Sequence, residues 1–212
     1  MKYNTYIFDL DGTILDTLLD LSNAVNFALR AKGYPERTTD EIRGFIGNGI
    51  KMLVKRAVPT GTDEADYAET LEAFRQYYLG HIADNTKPYN GIIDVINELK
   101  AAGCKVAVVS NKAHEAAQEV VKRFFGDIFD EIVGKMDRFP SKPEPDSLFY
   151  TMKALGANPE SCVYIGDSDV DVLTAHNAGL PCIGVTWGNR DEDVLTASGA
   201  EYIARTPKEI LF

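Results

Sequence analysis

Tyr6-Ile7-Phe8-Asp9-Leu10-Asp11-Gly12-Thr13 is the stretch that decides how this chain folds. Its three consecutive apolar residues predict a buried strand, and Gly12 predicts a sharp turn directly after it. Asp9 and Asp11 therefore stand at the carboxyl end of the first strand, where α/β proteins bind their ligands. Because neighbouring carboxylates repel each other, we expect a cation beside them. The alternative is that the two aspartates only cap the following helix.

Composition restricts the class of protein and its partners. The chain has 212 residues, 45% of them hydrophobic, and a formal net charge of −10, which argues against a nucleic-acid binder. No apolar run approaches the roughly 20 residues that cross a bilayer, so we expect no membrane partner. The cysteines Cys104, Cys162 and Cys182 show no CxxC spacing. We expect these cysteines to be buried thiols in a cytoplasmic protein. We expect the protein to be either a monomer or a homodimer.

The pattern of apolar residues changes along the chain. Between residues 16 and 83 it is helical throughout, whereas from Pro88 onward short apolar strands alternate with amphipathic helices. That alternation predicts an α/β fold with a Rossmann-like parallel sheet and helices on both faces. The first strand must belong to this sheet, because a lone strand is not stable. We therefore predict a catalytic core of residues 1–15 and 84–212, with residues 16–83 inserted as an all-helical cap that serves as a lid.

Polar clusters follow three further predicted elements. Ser110-Asn111-Lys112 comes after a predicted strand at 106–109 and opens a predicted helix, a position suited to binding phosphate oxygens. In Ser141-Lys142-Pro143-Glu144-Pro145, two prolines fix the direction of a lysine whose ammonium could offset the charge of Asp9. Gly166-Asp167-Ser168-Asp169-Val170-Asp171 follows a strand at 162–165 and offers the oxygen ligands that Mg²⁺ prefers.

In this order, the four clusters resemble the haloacid dehalogenase superfamily of aspartate-nucleophile phosphotransferases. The resemblance implies that Asp9 is the nucleophile that becomes an aspartyl-phosphate, and that Asp11 is the general acid and then the base. It implies that Ser110, Asn111 and Lys142 bind the transferring phosphoryl group. It also implies Mg²⁺ as the cofactor. The implied ligands are Asp9, the backbone carbonyl of Asp11, Asp167, and Asp171 either directly or through a bound water.

The predicted cap carries a second resemblance. Phe45-Ile46-Gly47-Asn48-Gly49-Ile50, followed by Leu53, Val54 and Arg56, is similar to the cap loop of the phosphoglycolate phosphatase subfamily. The resemblance implies a small phosphorylated substrate. We expect Thr13 and the turn Gly47, Asn48 and Gly49 to contact it, the turn through its backbone N–H groups and one amide. Arg43 and Lys51 lie near this turn and are candidate partners for a substrate carboxylate. Three alternatives on the same scaffold stay open, namely a broad-specificity sugar-phosphate phosphatase, a pyrophosphatase and a phosphomutase. A catalytically inactive binding module is a fourth alternative, which the presence of Asp9, Lys142 and Asp167 disfavours.

Overall fold

The computed structural model describes residues 1–211, and the chain forms two compact units. The core unit consists of Met1–Asp16 and the chain from Pro88 onward, and the helical unit consists of Thr17–Lys87. The chain leaves the core unit after Asp16 and returns at Pro88.

The core unit is built on a parallel sheet. The strands of the chain are β1 (Thr5–Phe8), β2 (Leu15–Asp16), β3 (Lys87–Pro88), β4 (Lys105–Ala113), β5 (Glu131–Lys135), β6 (Cys162–Gly166), β7 (Cys182–Val185) and β8 (Tyr202–Ala204). Six of them form one sheet in the order β5-β4-β1-β6-β7-β8, and each neighbouring pair is parallel. The predicted α/β class is confirmed.

The order of the strands determines where the sheet can bind a ligand. β1 is central, with β4 on one side and β6 on the other, so the chain builds one half of the sheet before it crosses to the other half. Such a reversal opens a crevice at the carboxyl ends of the strands, because the connections on either side turn away from each other. Asp9 follows β1 directly at this crevice. The sequence Tyr6-Ile7-Phe8 makes this strand fully buried, as its apolar pattern predicts.

Four helices form the helical unit: α1 (Leu18–Ala31), α2 (Thr39–Phe45), α3 (Ile50–Ala57) and α4 (Glu64–Gly80). The chain turns between α2 and α3 at two glycines, Gly47 and Gly49. Their φ angles of 122° and 80° are ones that side-chain-bearing residues rarely adopt. A capping box at Thr38 and Glu41 starts α2.

The helical unit extends four residues beyond the boundary expected at 83. The buried carboxylate of Asp20 explains this, since it accepts hydrogen bonds from the backbone N–H of Asn85 at 3.0 Å and of Thr86 at 2.8 Å. The Asn85 amide and the Thr86 hydroxyl also donate to it, at 2.8 and 2.7 Å. Burial raises the pKa of Asp20, but these donors outweigh it and hold the pKa below its usual range. Asn85 and Thr86 are thus bound to α1.

The helices of the core unit connect its strands. They are α5 (Ile92–Ala101), α6 (His114–Phe125), α7 (Asp146–Leu155), α8 (Asp169–Asn177) and α9 (Glu192–Ala197). Cys104, Cys162 and Cys182 are buried free thiols, and burial raises the pKa of each, so they act as small apolar side chains. None of the helices within residues 1–211 has the length and apolarity needed to cross a bilayer.

Candidate active site

Asp9 and Lys142 form a buried ion pair at the carboxyl end of β1. The Asp9 backbone N–H donates to Ile165 O of β6 at 2.8 Å, which keeps Asp9 in register with the sheet. Lys142 Nζ lies 2.8 Å from Asp9 Oδ1 and 2.7 Å from Asp171 Oδ1, and Lys142 is only 4% exposed. Burial disfavours this ammonium, but the carboxylates of Asp171 and Asp9 outweigh burial and raise the pKa of Lys142 well above its usual range. Lys142 is therefore a fixed positive charge.

Two neighbouring side chains fix the position of Lys142. Tyr164 on β6 accepts a hydrogen bond from Lys142 Nζ at 2.9 Å and donates its own proton to Val109 O at 2.9 Å. Asn111 clamps the Lys142 backbone, since its Oδ1 accepts from Lys142 N at 2.8 Å and its Nδ2 donates to Lys142 O at 3.3 Å. Both ends of the Asn111 amide thus hold the segment that carries the lysine. The expected contact of Asn111 with phosphate stays a prediction.

Asp171 lies beneath Lys142 and is fully buried. Its Oδ1 faces Lys142, and its Oδ2 accepts from Ser168 Oγ at 2.6 Å and Ser168 N at 3.1 Å. The bond from Ser168 N, together with one from Asp171 N to Ser168 Oγ at 3.4 Å, forms the capping box that starts α8. Both oxygens of Asp171 thus already have partners. Of the two roles left open for Asp171, this geometry favours the one in which it does not ligate the metal directly.

Asp167 is held at the end of β6 by donors on both of its oxygens. Thr13 Oγ1 donates to Oδ1 at 3.1 Å, and Asn189 donates to Oδ2 from its backbone N at 2.7 Å and its Nδ2 at 2.8 Å. Burial raises the pKa of Asp167 to about 6, although the Asn189 and Thr13 hydrogen bonds act against that shift. Thr13 is fully buried and supports Asp167. The expected contact of Thr13 with the substrate stays a prediction.

Two glycines allow the chain to approach Asp167 closely. A Cβ on Gly188 would lie 2.3 Å from Asp167 Cβ and 2.4 Å from Gly12 O. A Cβ on Gly12 would lie 2.2 Å from Asn189 Nδ2 and 2.3 Å from Asp167 Oδ2, and Gly12 also has a φ of 91°. Any side chain at either position would displace the Asp167 carboxylate or its donors.

Asp11 pairs with a second buried lysine. Lys112 Nζ lies 3.0 Å from Asp11 Oδ1, and Lys112 is buried. The expected strand at 106–109 continues as far as Ala113, with an irregularity in its register after Val109. Ser110 and Lys112 therefore belong to β4, and α6 begins directly after this strand, at His114. A strand irregularity of this kind redirects side chains, which is how β4 can offer both residues to the crevice.

The charges of the cluster fit a divalent cation. Carboxylate oxygens of Asp9, Asp167 and Asp171 lie within 4.8 Å of one another. Asp9 Oδ1 is buried and makes no hydrogen bond of ordinary geometry among residues 1–211, despite its ion pair. Burial raises the pKa of Asp9 well above its usual range, and Lys142 offsets only part of the shift. The cluster contains four carboxylates and two ammonium groups, so it carries two excess negative charges. The carboxylates are Asp9, Asp11, Asp167 and Asp171, and the ammonium groups are Lys112 and Lys142. Hard oxygen ligands with that excess charge fit Mg²⁺.

The remaining site candidates lie in the helical unit. Arg43 is exposed on α2, and Gly47, Asn48 and Gly49 form the turn before α3. Arg56 on α3 holds this turn, because its guanidinium donates to Phe45 O and to Asn48 Oδ1, both at 2.8 Å.

Comparison with known proteins identifies the family. The model of the haloacid dehalogenase-like hydrolases matches residues 6–185. This chain belongs to that family. The phosphoglycolate phosphatase of Psychrobacter arcticus is 35% identical over 204 residues, which are 92% of this chain and 88% of the relative. That of Aquifex aeolicus is 33% identical over 183 residues, which are 86% of this chain and 84% of the relative.

Solved structures agree with this assignment. A candidate phosphoglycolate phosphatase from Lactobacillus delbrueckii subsp. bulgaricus is 35% identical with a TM-score of 0.94, over 99% of this chain and 97% of that one. A haloacid dehalogenase-like hydrolase from Streptococcus pneumoniae is 26% identical with a TM-score of 0.89, over 99% and 97% of the two chains. The resemblance inferred from the four motifs is thus confirmed at the level of the family.

Sequence reasoning missed three polar residues of this haloacid dehalogenase-like site. The sequence pattern assigns Lys112 no role and shows Tyr164 only as a strand residue. Asn189 follows β7 at the same edge of the sheet as the other clusters. Its position directly after a strand is the feature of the sequence that indicates a place for Asn189 in the site.

Proposed function

We propose that this protein hydrolyses phosphomonoesters through an aspartyl-phosphate on Asp9, with Mg²⁺ as its cofactor. The observation that carries the proposal is the arrangement around Asp9. Its carboxylate contacts the buried ammonium of Lys142, and a second carboxylate two residues later is paired with Lys112. Membership of the hydrolase family supports the same chemistry.

In the first half of the reaction, an Asp9 carboxylate oxygen attacks phosphorus and the bond from phosphorus to the leaving oxygen breaks. Asp11 donates its proton to that oxygen, so that a neutral alcohol departs. In the second half, Asp11 takes a proton from water, the water oxygen attacks phosphorus, and the bond to Asp9 breaks. Inorganic phosphate leaves, and both aspartates return to their starting states. Splitting one displacement into two in this way lowers the barrier of each.

The basic and hydroxyl groups have separate tasks in this proposal. Lys142 neutralises Asp9 before the attack and the phosphoryl oxygens during it, and Ser110 donates its hydroxyl proton to one of those oxygens. Thr13 and Asn189 hold Asp167, while Asn111 and Tyr164 hold Lys142. Mg²⁺, held by Asp9, Asp167 and the backbone carbonyl of Asp11, would supply a positive charge that orients the phosphoryl group.

We propose 2-phosphoglycolate as the substrate. The support is the name that the relatives from Psychrobacter arcticus and Aquifex aeolicus share, at 35% and 33% identity over most of each chain. We assign the selection of the organic part of the substrate to Arg43 and the Gly47-Asn48-Gly49 turn. Arg56 fixes this turn and so would keep its amide and backbone groups in one arrangement.

The nucleophile is tested by Asp9→Asn, with Asp94→Asn on the surface of α5 as the matched control. Asp9→Asn should lower phosphate release by several orders of magnitude and leave the circular dichroism spectrum unchanged, whereas Asp94→Asn should keep normal rates. Acid quenching of the unmutated enzyme during turnover should trap phosphate on Asp9, detectable by mass spectrometry. Appreciable turnover by the Asp9→Asn variant, or a phosphate trapped on another residue, would contradict the mechanism.

The substrate is tested by comparing kcat/KM for 2-phosphoglycolate, pyrophosphate, hexose phosphates and an aryl phosphate. A preference for 2-phosphoglycolate of about a hundredfold, or roughly 2.7 kcal/mol of discrimination, would support the assignment. Similar rates for all monoesters would indicate a broad phosphatase. Fast isomerisation of a sugar phosphate with slow release of phosphate would indicate a phosphomutase.

A further inference from the structure

The carboxylate of Asp167 has few acceptor positions left for a metal ion. Each carboxylate oxygen can accept about two hydrogen bonds in the plane of the group. Oδ2 already accepts two, from Asn189 N and Asn189 Nδ2 at 2.7 and 2.8 Å. Oδ1 accepts only one, from Thr13 Oγ1 at 3.1 Å. A cation can therefore reach Asp167 through Oδ1 but competes with two short hydrogen bonds at Oδ2.

From this count we infer that Asn189 makes Asp167 a one-oxygen metal ligand, and that it thereby favours Mg²⁺ over Ca²⁺ at this site. The inference rests on the proposed Mg²⁺ site and assigns to Asn189 a role that the proposed reaction does not require. Asn189 is a positioning residue, because it acts through Asp167 rather than on the substrate.

The physical reason lies in how the two ions bind carboxylates. Mg²⁺ requires six oxygens at about 2.0–2.1 Å in a nearly octahedral arrangement, which one-oxygen carboxylates and waters can supply. Ca²⁺ takes six to eight oxygens at about 2.3–2.6 Å and commonly uses both oxygens of a carboxylate. Occupying Oδ2 with two N–H donors therefore removes a binding mode that benefits Ca²⁺ more than Mg²⁺.

The backbone around Asn189 keeps it in place. Gly188 passes so close to Asp167 that a Cβ would lie 2.3 Å from Asp167 Cβ, so the loop lies directly against the carboxylate. Gly12 lies on the other side, where a Cβ would lie 2.2 Å from Asn189 Nδ2. With both neighbours lacking side chains, the Asn189 amide fits between the two turns and reaches Oδ2.

The test is the affinity of the metal-free protein for each ion, measured by isothermal titration calorimetry with MgCl₂ and CaCl₂. Asn189→Leu removes the side-chain donor and keeps the backbone donor. Its Kd for Mg²⁺ should rise about tenfold, as is usual when a residue that supports a metal ligand is lost. Its Kd for Ca²⁺ should rise by less than about threefold, because the acceptor position freed on Oδ2 gives Ca²⁺ a second contact with the carboxylate. The preference for Mg²⁺ over Ca²⁺ should fall accordingly.

The matched control is Asn158→Leu. Asn158 Oδ1 accepts from Glu160 N just before the amino end of β6, the opposite end of the strand from Asp167. This variant should lower Tm and leave both Kd values unchanged, which separates loss of stability from loss of selectivity. Asn189→Ala, which adds no bulk, provides the same measurement if Asn189→Leu alters the circular dichroism spectrum.

The Kd values for Mg²⁺ and Ca²⁺ decide whether Asn189 favours Mg²⁺. An unchanged Kd for Mg²⁺ in both Asn189 variants, or an equal loss for both ions, would overturn the inference. A failure of the unmutated protein to bind Mg²⁺ would overturn it through the proposed function on which it rests. A selective loss for Mg²⁺ with an unchanged Asn158→Leu control would establish it.

Discussion

Lys112 Nζ lies 3.0 Å from Asp11 Oδ1, with the lysine side chain 4% exposed and the aspartate side chain 17% exposed. A buried ammonium beside this carboxylate limits the directions in which Asp11 can point. If Asp11 is the acid and base of the proposed reaction, Lys112 orients the group that moves the proton.

Lys112→Met should therefore lower kcat about tenfold to a hundredfold, because Asp11 loses the partner that orients it. The free energy of unfolding should fall by about 2 kcal/mol, less than for a fully buried pair because Asp11 is partly exposed. Steady-state kinetics and urea unfolding measure the two effects. Lys105→Met, at the exposed start of the same strand, is the control and should change neither. A kcat within twofold of normal for Lys112→Met would rule out this role.

Asp171→Asn should mainly lower stability, whereas Asp167→Asn should mainly weaken Mg²⁺ binding. Asp171→Asn leaves the Lys142 ammonium without one of its two carboxylates, so the free energy of unfolding should fall by about 3 kcal/mol. Its Kd for Mg²⁺ should change little, because both Asp171 oxygens already have partners. Asp167→Asn should raise that Kd more than tenfold, because it removes the ligand itself. Isothermal titration calorimetry measures both Kd values. A comparable loss of Mg²⁺ affinity in Asp171→Asn would show that Asp171 is a direct ligand.

Tyr164→Phe should destabilise the protein, whereas Tyr6→Phe should not. The Tyr164 hydroxyl bridges Lys142 Nζ and Val109 O, both buried, so its removal should cost about 2 kcal/mol and lower kcat by displacing the lysine. The Tyr6 hydroxyl is also buried but makes no hydrogen bond of ordinary geometry within residues 1–211. Its removal should leave Tm unchanged or raise it. Thermal unfolding compares the two, and equal losses would mean that only ring packing matters.

Asp20→Asn should destabilise the helical unit in a pH-dependent manner. The variant replaces a carboxylate oxygen with an N–H₂ group that opposes the donors of Asn85 and Thr86, so we expect a loss of about 3 kcal/mol at pH 7. Because hydrogen bonding holds the folded-state pKa of Asp20 below the unfolded value, this stabilisation is complete above about pH 4. It is lost as the pH falls through the folded-state pKa.

The difference between the two proteins in urea unfolding should therefore shrink as the pH is lowered below about 4. Asp40→Asn, on the exposed first turn of α2, is the control and should stay close to the unmutated protein at neutral pH. A difference for Asp20→Asn that is constant from pH 7 to pH 3 would show that the carboxylate charge does not contribute.

The sheet was predictable because its signals are local. A fully apolar run such as Tyr6-Ile7-Phe8, followed by a glycine turn, is typical of a strand that is buried on both faces, as in a covered parallel sheet. Since parallel strands end at the same edge, the polar residues after each strand could be grouped before any distance was known. The ion pair between Lys142 and Asp9 follows from that grouping.

The support of the site was not predictable, because it depends on contacts between distant parts of the chain. Asn111 holds a backbone 31 residues away, and Thr13 donates to a carboxylate 154 residues away. The residue type alone fits a phosphate contact equally well in both cases. The extension of β4 to Ala113 was missed for a different reason: Asn111 and Lys112 are poor strand residues, and they lie in the irregular part of β4, between the pairs that Val109 and Ala113 form with β5.

The side chain of Asp171 takes part both in the start of a helix and in a buried ion pair. One of its oxygens completes the capping box of α8, and the other neutralises Lys142. Unwinding the first turn of α8 would therefore also part a buried ion pair, which makes local fraying at this point costly. Amide protons in this turn should exchange with solvent only when the whole core opens. Activity should accordingly disappear in the same cooperative transition that unfolds the sheet, without a preceding stage in which the site alone melts.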